Sequence, residues 1–240
     1  MHARALEEMR GAVLVFDIWG DYAHYRKIET TTSPLTYSLP TGTALAGMVS
    51  AIIGQERDSY YEMFSPENAR FAIRILSKVK KARINLTLID TSKGFWLRDI
   101  GENPRTLIPF EFIKDPRYRI YVWTKDEYLK QRLRTFLEQH KSYYTPFLGL
   151  AYLIAEFSYV GEFDLKRASG EAMHSVARRD RGRLVVEEGK WYCLDSIPVW
   201  MNRERVVQDY ADVVYEVDGK PITFLSAESY EVGSENVVFL

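Results

Sequence analysis

Short segments of the chain alternate between apolar and polar residues, a period of two that predicts β-strands. In the segment from 117 to 123, Tyr118, Ile120 and Val122 share one face, while charged and larger aromatic residues share the other. Residues 11–19 are apolar at most positions, which is typical of a central strand covered on both faces. Alternation predicts strands over residues 70–76, 83–89 and 117–123, with a further strand from about Tyr152 to Tyr159.

Two segments follow the helical period instead. The first opens after Pro40 and ends at Gly54, and its apolar stripe consists of Leu45, Met48, Val49 and Ile52. The second opens at residues 124–127, Thr-Lys-Asp-Glu, which have the sequence of a capping box. Its apolar stripe consists of Leu129, Leu133, Phe136, Leu137 and His140. Since His140 falls on that stripe, we expect it to be packed and hydrogen-bonded.

The elements follow one another as strand, helix, strand, strand, helix, strand. That order predicts an α+β fold with a ferredoxin-like core, the arrangement found in RRM domains. The basic and aromatic octamer of RRM domains is absent from the sequence, so RNA binding through the sheet face in their manner is not expected. From residue 165 onward the sequence contains short strands and turn-forming glycines. We therefore predict a core domain over residues 1–164 and a small β-rich subdomain over residues 165–240.

Composition and charge narrow the classes of function. The chain has 240 residues, of which 46% are hydrophobic and 27% charged, typical of a globular protein with its own core. Its 32 basic and 33 acidic residues give a net charge of −1, which argues against nonspecific coating of nucleic acid but leaves a local site open. One cysteine and four scattered histidines offer no zinc spacing, and no Walker or dinucleotide glycine motif is present. No metal or cofactor is therefore expected.

The sequence also predicts a cytoplasmic protein that does not enter the membrane. No apolar run approaches the roughly 20 residues needed to span a bilayer. The first ten residues lack the apolar core of a signal peptide. Cys193 lies among Trp191, Tyr192 and Leu194, so we expect a small, buried and unpaired thiol.

The segment between the first predicted strand and the first predicted helix carries the strongest candidate chemistry. Exposed backbone N–H groups at a helix N-terminus and a bidentate arginine such as Arg26 are both suited to phosphate. The alternative is an ordinary connection in which Thr41 or Thr43 caps the helix. We expect His24 to face solvent or to form a local hydrogen bond rather than to act in catalysis. The candidate residues of this loop are Tyr22, His24, Tyr25, Arg26, Lys27, Thr30, Thr31, Thr32 and Ser33.

Three ordered blocks of sequence, which span roughly two thirds of the chain, point to a known family. The first has the frame G-x-Y-A-x-(Y/F)-R, then T-T-S-P-x-x-Y-x-x-P-x-x-T-x-L-x-G, and its matching residues are Gly20, Tyr22, Ala23, Tyr25, Arg26, Thr31, Thr32, Ser33, Pro34, Tyr37, Pro40, Thr43, Leu45, Gly47 and Gly54. The second contains Arg105-Thr106, Pro109, Glu111-Phe112 and residues 116–122, and the third covers residues 144–150. Together the blocks resemble the CRISPR-associated Cas-five family.

The resemblance implies a function, partners and a site. The family's subunit grips the 5′ handle of the guide RNA in type I surveillance complexes (Cascade). The implied partners are the guide RNA, a backbone subunit, a large subunit and the processing endonuclease, with target DNA met indirectly. The implied fold is a ferredoxin-like core with a long hairpin thumb, here about Lys80–Tyr121. The implied RNA-binding residues are Tyr22, His24, Tyr25, Arg26, Lys27, Thr41, Thr43, Trp96, Arg98 and Arg105.

Among these residues, Arg26 and Lys27 are expected to pair with phosphates, while a face of Tyr22 or Tyr25 stacks on an unpaired base. Aromatic side chains at the thumb tip, such as Trp96, favour a partner there, although a self-packed loop is the alternative. Two further basic runs are as consistent with a solvated surface as with nucleic acid. They are Lys78, Lys80, Lys81 and Arg83, and then Arg178, Arg179, Arg181 and Arg183.

An enzyme is the alternative interpretation, because one branch of the family, type I-C, cuts the precursor guide RNA without a metal. That chemistry needs a base and an acid, and the branch places a Lys-His pair at the start of the second helix and a Tyr near the end of the first. The corresponding positions here are Lys125-Asp126 and Ile52-Ile53, so the histidine and the tyrosine are missing. We therefore expect a non-catalytic subunit of the type I-B form, with type I-A as the nearest alternative.

Overall fold

A computed structural model describes residues 9–30, 33–89, 105–168, 170–226 and 228–240. β-Strands dominate these ranges, and their α-helices are α1 (Gly42–Ile53) and α2 (Glu127–Glu138). The strands are β1 (Ala12–Trp19), β2 (Tyr22–Ala23), β3 (Tyr25–Arg26), β4 (Thr36–Tyr37), β5 (Ala69–Ile75), β6 (Lys80–Ile89), β7 (Arg105–Lys114), β8 (Arg117–Thr124), β9 (Glu156–Arg167), β10 (Ala172–Met173), β11 (Ala177–Arg178), β12 (Gly182–Val185), β13 (Tyr192–Met201), β14 (Val207–Glu216), β15 (Ile222–Ser226), β16 (Tyr230–Val232) and β17 (Glu235–Val237). None of the helices in these ranges has the length and apolar character to cross a membrane.

A six-stranded antiparallel sheet, in the order β17-β16-β9-β1-β8-β5, occupies the centre of the molecule. β1 lies between β8 and β9, where Phe16 is paired with Ile120 on one side and Tyr159 on the other. The strand is buried along almost its whole length, as the apolar run predicted. Along the chain, β1, α1, β5, β8, α2 and β9 follow the order expected from the sequence. The last of these strands begins at Glu156, four residues later than predicted, because residues before it form a loop.

Each face of this sheet contributes to a different hydrophobic core. Alternate residues such as Leu14, Phe16 and Ile120 pack with both helices in the larger one, which we call the helix-side core. Val15 and Tyr121 face the opposite way and pack with apolar residues of β16, β17 and the last few residues. Since both faces are covered within the described ranges, the sheet has no broad open face for RNA, in keeping with the missing RRM octamer.

α1 begins and ends where the sequence predicts. Thr41 has an extended backbone and is the N-cap, because its Oγ1 accepts a hydrogen bond from the Ala44 N–H at 3.2 Å. Gly54 ends the helix in the left-handed conformation with φ 77°. A Cβ at that position would lie 2.6 Å from the ring of Tyr143, so the glycine also permits a close approach. The prediction that Thr41 caps the helix is confirmed.

α2 begins two residues later than the capping-box prediction, which is wrong. Asp126 is the N-cap, and its Oδ1 accepts a hydrogen bond from the Leu129 N–H at 3.1 Å. Thr124 instead accepts a hydrogen bond from the Asp126 N–H at 3.1 Å. A carboxylate caps a helix as well as a hydroxyl does and also interacts favourably with the helix dipole. The buried stripe is shorter than predicted and consists of Leu129, Leu133 and Leu137.

His140 is not part of that stripe, and the prediction of a packed, hydrogen-bonded histidine is wrong. α2 ends at Glu138, and His140 itself has a positive φ of 50°. The chain therefore turns before the helical period can carry this residue to the core. Its side chain is exposed, with the ring centroid 4.9 Å from that of Phe157.

A long hairpin formed by β6 and β7 projects from the sheet, and β2 joins it to make a three-stranded sheet. Its register runs from the pair Lys80–Lys114 to the pair Ile89–Arg105. The predicted limit at Tyr121 is too far along the chain, because Asp115 turns with φ 50° and the chain then enters β8. The tip that would carry Trp96 and Arg98 lies outside the described residues.

The chain after residue 165 forms short strands, in two three-stranded sheets with the orders β10-β15-β12 and β11-β14-β13. Ile197, Val213 and Tyr215 of this region belong to the helix-side core, and Cys193 is half-buried against it as a free thiol. The expected boundary between 164 and 165 falls inside β9, whose later part pairs with β16. The C-terminal strands therefore complete the central sheet and also supply part of the surface described next.

Candidate nucleic-acid interface

A groove of about 410 Å³ opens at the N-terminus of α1, and we call it the α1 groove. Its walls come from the β3 segment, the start of α1, the loop before β9, and the ends of β13 and β14. Five of the residues predicted from the sequence line it: His24, Tyr25, Arg26, Thr41 and Thr43. The fold thus brings together the basic loop and the helix N-terminus that the sequence analysis singled out.

Gly149 allows the loop before β9 to close one wall of the groove. The His24 N–H donates a hydrogen bond to the Leu148 carbonyl at 3.0 Å, which places the two segments side by side. Gly149 has φ 96°, and a Cβ there would lie 1.9 Å from the His24 carbonyl oxygen. No side chain fits in that space. The glycine in the third sequence block therefore has a packing role at the groove wall.

The start of α1 lies against β13. A Cβ on Gly42 would approach the Val199 carbonyl oxygen to 2.4 Å, so this glycine permits the helix to begin directly on the strand. Thr41 is buried and its Oγ1 is 2.9 Å from the Oγ1 of Thr43. Because the Thr41 hydroxyl already caps the helix, Thr43 is the more available hydroxyl of the pair. The positive end of the α1 dipole lies at this wall of the groove.

Arg26 is exposed, and its Nη2 donates to the Thr30 carbonyl at 3.2 Å. That contact leaves most of the guanidinium free to bind an anion. Lys27 differs, because its Nζ is 2.5 Å from Asp195 Oδ1 and lies over the Tyr37 ring at 5.0 Å. The expectation that Lys27 pairs with phosphate conflicts with this arrangement, since its charge is already matched. Thr31 and Thr32 of the same loop lie outside the described residues.

His24 is buried, at 1% exposure, and its ring packs 5.3 Å from Phe110 and 5.6 Å from Phe112. Its Nδ1 lies 2.7 Å from the Glu111 carbonyl. A carbonyl only accepts, so Nδ1 carries the proton and Nε2 presents a lone pair. Burial lowers the pKa of His24, which favours this neutral form. His24 is hydrogen-bonded as expected, although to a residue distant in sequence rather than in its own loop.

Tyr25 is 4% exposed and belongs to the helix-side core, so its ring face is not available to stack on a base, and that expected role is corrected. Burial raises the pKa of its hydroxyl well above the usual range. Within the described residues, neither Tyr25 Oη nor His24 Nε2 has a hydrogen-bond partner. Both residues line the groove. A buried polar atom without a partner is costly, so a polar ligand in the groove would satisfy both groups.

The remaining predicted residues lie away from the groove. Tyr22 is half-buried and makes an edge contact with Phe112, with ring centroids 6.0 Å apart. Arg105 is exposed at the first position of β7, paired with Ile89. Leu107 and Ile89 are also exposed there, so the described part of the hairpin presents apolar surface towards its tip.

Ion pairs absorb part of both basic runs. Lys78 lies 2.9 Å from Asp218, and Lys81 lies 2.9 Å from Glu111. In the second run, Arg178 is buried and contacts Asp180 at 3.0 Å and Asp209 at 3.3 Å, and Arg181 pairs with Glu228. Lys80, Arg83, Arg179 and Arg183 remain exposed. For the four paired cations the structural interpretation is therefore the better one.

The sequence analysis missed the groove residues that come from the C-terminal half and from the loop before β9. They are Leu150, Pro198, Met201, Arg205 and Val207. No local motif marks them, because they reach the groove through the pairing of β13 with β14 and not through sequence proximity. Within the described ranges, no three His, Cys, Asp or Glu side chains are grouped so that they could hold a metal ion.

Comparison with known families identifies the class of protein as CRISPR-associated. The family model described as CRISPR-associated protein (Cas_Cas5) matches residues 13–209, which is most of the chain. The chain therefore belongs to the Cas-five family, and the resemblance seen in the three sequence blocks is confirmed. A comparison with curated protein sequences gives no match.

Solved structures agree at the level of the fold. The chain resembles a CRISPR protein from Archaeoglobus fulgidus, with 14% identity, a TM-score of 0.59, and coverage of 95% of this chain and 98% of that one. A chain of a CRISPR RNA-guided surveillance complex matches with 14% identity and a TM-score of 0.46, covering 90% and 91%. A chain of a Type III-B Cmr-beta structure bound to cognate target RNA and AMPPnP matches with 10% identity and a TM-score of 0.45, covering 88% and 86%. Of these three, the first likeness alone is close enough to support the fold.

Proposed function

We propose that this protein is a non-catalytic subunit of a type I surveillance complex and that it binds the 5′ handle of the guide RNA in the α1 groove. One observation carries the proposal: the groove unites Arg26, Thr43 and the N-terminus of α1, all from the sequence block that resembles the family. Membership of a CRISPR-associated family supports the same conclusion.

The chemistry of the groove suits single-stranded RNA. An exposed arginine and a helix N-terminus attract phosphate, which supplies most of the affinity for nucleic acid. Ile28, Met201 and Val207 provide apolar surface for the bases. His24 Nε2 can accept a hydrogen bond and Tyr25 Oη can donate one, so a base edge or a ribose hydroxyl would complete their hydrogen bonding.

The proposal includes a ferredoxin-like core with a hairpin thumb. The order β9-β1-β8-β5 with two connecting helices on one face supports that description. The exposed apolar residues of β6 and β7 support contact with the backbone subunit. The large subunit, the processing endonuclease and, indirectly, target DNA are the further proposed partners, in the cytoplasm. We assign the type I-B form, in which a separate endonuclease cuts the precursor.

The absence of catalysis is supported by the residues at the positions where the type I-C branch is catalytic. Ile52 and Ile53 are buried in the helix-side core. The Asp126 carboxylate caps α2 through the Leu129 N–H, which favours its ionised form. An ionised carboxylate cannot donate the proton that a leaving oxygen needs near neutral pH.

The test is binding of fluorescein-labelled RNA that carries the organism's own 5′ handle, compared with a scrambled RNA, over a range of salt. Arg26→Ala should weaken handle binding by roughly 1–3 kcal/mol and reduce the salt slope by about one phosphate contact. Arg134→Ala is the matched control, because Arg134 is exposed on α2 and pairs with Glu138 and Glu162. If Arg26→Ala changes neither affinity nor slope, the assignment of the groove is wrong.

A second experiment addresses catalysis. Precursor guide RNA incubated with the protein, with or without EDTA, should remain intact. Specific scission just upstream of the handle, lost in Lys125→Ala or His24→Ala, would instead support the endoribonuclease.

A further inference from the structure

Arg205 occupies an unusual backbone position beside the α1 groove. It lies in the tight turn between β13 and β14, where the Arg205 N–H donates to the Asn202 carbonyl at 2.9 Å. The Asn202 N–H donates to the Val206 carbonyl at 3.0 Å, and the Val206 N–H to Asn202 Oδ1 at 2.9 Å. These bonds close a hairpin loop whose penultimate residue, Arg205, has φ 59°.

A left-handed residue in a hairpin loop of this kind is ordinarily glycine or asparagine. Arginine there is strained, because its Cβ is close to the carbonyl oxygen that follows. Folding alone would favour glycine at this turn, since Arg205→Gly removes the strain. Strained residues that persist in a fold are concentrated at functional sites, so the side chain of Arg205 needs a reason beyond the turn.

Asp58 holds the guanidinium of Arg205 in one orientation. Arg205 Nε and Nη2 donate to Asp58 Oδ1 at 3.0 and 2.7 Å, and Nη2 also lies 2.8 Å from Oδ2. The Tyr61 hydroxyl donates to the same Oδ1 at 2.6 Å, which fixes the carboxylate. The hydrogen bond from Tyr61 and those from Arg205 lower the pKa of Asp58, so the carboxyl stays ionised.

This ion pair orients the arginine more than it stabilises the protein. The side chains of Arg205 and Asp58 are 49% and 43% exposed, and exposed pairs contribute little to folding. Asp58 also has a positive φ of 64°, so two non-glycine residues in left-handed conformations meet in one bidentate pair. The pair uses the Nε edge of the guanidinium. Within the described residues, Nη1 has no hydrogen-bond partner, and Arg205 lines the groove that Arg26 also lines.

We propose that Arg205 is a second phosphate-binding residue of the α1 groove, positioned by Asp58, on a different wall from Arg26. The assignment rests on the proposed RNA-binding function and deepens it. Two arginines on separate elements can contact two phosphates of one strand, which fixes the direction of the RNA in the groove as well as its affinity. Arginine suits this role because its planar fork can bind Asp58 through one edge and a phosphate through the other.

The decisive variant is Arg205→Gly in the full chain, with the labelled 5′-handle RNA as the probe. Binding should weaken about five- to tenfold and the salt slope should fall by about one phosphate contact. The melting temperature should be unchanged or slightly raised, because glycine removes the strain at φ 59°. Arg57→Ala is the matched control, since Arg57 is 82% exposed, lies 3.6 Å from the same Asp58 and does not line the groove.

Asp58→Asn tests the positioning role separately. Asparagine tolerates the left-handed backbone, and the substitution removes a negative charge near the RNA. Electrostatics alone would therefore tighten binding. If Asp58 positions Arg205, binding should weaken instead, by about two- to threefold, because the guanidinium loses its fixed orientation.

The outcomes separate the two proposals. If Arg26→Ala weakens handle binding and Arg205→Gly does not, the assignment of Arg205 is overturned and the groove stands. If Arg205→Gly lowers the melting temperature, the residue has a structural role and the assignment is overturned. Tighter binding by Asp58→Asn would overturn the positioning role. If the unaltered protein does not prefer the handle RNA over the scrambled RNA, the proposed function fails, and the role of Arg205 with it.

Discussion

Lys27 and Asp195, which are 168 positions apart in the sequence, form an ion pair with Nζ 2.5 Å from Oδ1. The Tyr215 hydroxyl donates to the other carboxylate oxygen at 2.7 Å, and Lys27 also lies over the ring of Tyr37. The contact ties the loop that carries Arg26 to β13, across the edge of the α1 groove. Lys27 is therefore a positioning residue for Arg26, in place of the phosphate ligand that the sequence predicted.

The first prediction follows from that difference between neighbouring cations. Lys27→Met should lower the free energy of unfolding by about 1–2 kcal/mol, because it leaves the largely buried Asp195 carboxylate without its cation. It should leave the salt slope of RNA binding unchanged, since Lys27 makes no phosphate contact. Arg26→Ala should do the reverse. Urea unfolding and salt titration of RNA binding give the two quantities.

Lys78→Met provides the control for this comparison, because the pair of Lys78 with Asp218 is more exposed and should cost little. A salt slope that falls in Lys27→Met by as much as in Arg26→Ala would show that Lys27 leaves Asp195 to bind RNA.

The second prediction concerns the groove wall at Gly149. Gly149→Ala should destabilise the protein by at least about 2–3 kcal/mol, because it adds a clash with the His24 carbonyl to the cost of φ 96°. Gly189→Ala is matched, since Gly189 has φ 78° but nothing within 4 Å of the added Cβ. That control should cost only about 1–2 kcal/mol. Equal losses on thermal or urea unfolding would show that the loop before β9 moves to make room.

The third prediction is a loss of stability in weak acid. Burial lowers the pKa of His24 below 6.5, so the unfolded chain binds the proton more readily than the folded one. The free energy of unfolding should therefore be constant above about pH 6.5 and should fall as pH decreases towards the folded pKa. Burial and the charge of Arg74 lower the pKa of His174 as well, which contributes in the same direction.

His24→Gln should reduce this dependence on pH and leave the part due to His174. His140→Gln is the control, because His140 is exposed and its removal should not alter the slope of stability against pH. Urea unfolding at a series of pH values measures both. An unchanged slope in His24→Gln would mean that His24 is reached by solvent in the folded state.

The sequence predicted the elements of the central sheet because their apolar positions repeat locally. The alternation of Tyr118, Ile120 and Val122 places them in the helix-side core, as expected. Helix ends were harder to predict, since several residues compete for them. Both Thr124 and Asp126 are good caps, and the choice depends on the turn between β8 and α2.

The candidate site was only half predictable for a related reason. Arg26 and Thr43 lie in one continuous sequence block, so a motif could mark them. Arg205 and Asp195 reach the same region through the β13–β14 pair, and their roles depend on long-range contacts with Asp58 and Lys27. Burial could not be predicted locally either, because an aromatic loop residue such as Tyr25 looks the same in sequence whether it packs or stacks.

The fourth prediction concerns the hairpin of β6 and β7. Its described strands pair in register up to Ile89 and Arg105, so replacing residues 90–104 by Asn-Gly would join them through a two-residue turn. The melting temperature should change little, because shortening a connection is thermodynamically mild and the helix-side core lies elsewhere. Assembly with the backbone subunit and guide RNA, followed by size-exclusion chromatography, should weaken because the shortened chain lacks Trp96 and Arg98.

Leu107→Ser in the otherwise complete chain separates surface loss from loss of the tip. Leu107 is exposed on β7, so the substitution should not affect folding. It should weaken assembly if the apolar side of the hairpin contacts the backbone subunit, since exposed apolar surface of this kind is typical of an interface. A shortened chain that assembles with normal stoichiometry and an equally protected 5′ handle would contradict the proposed role of the thumb. A shortened chain that melts much earlier would show instead that residues 90–104 contribute to the core.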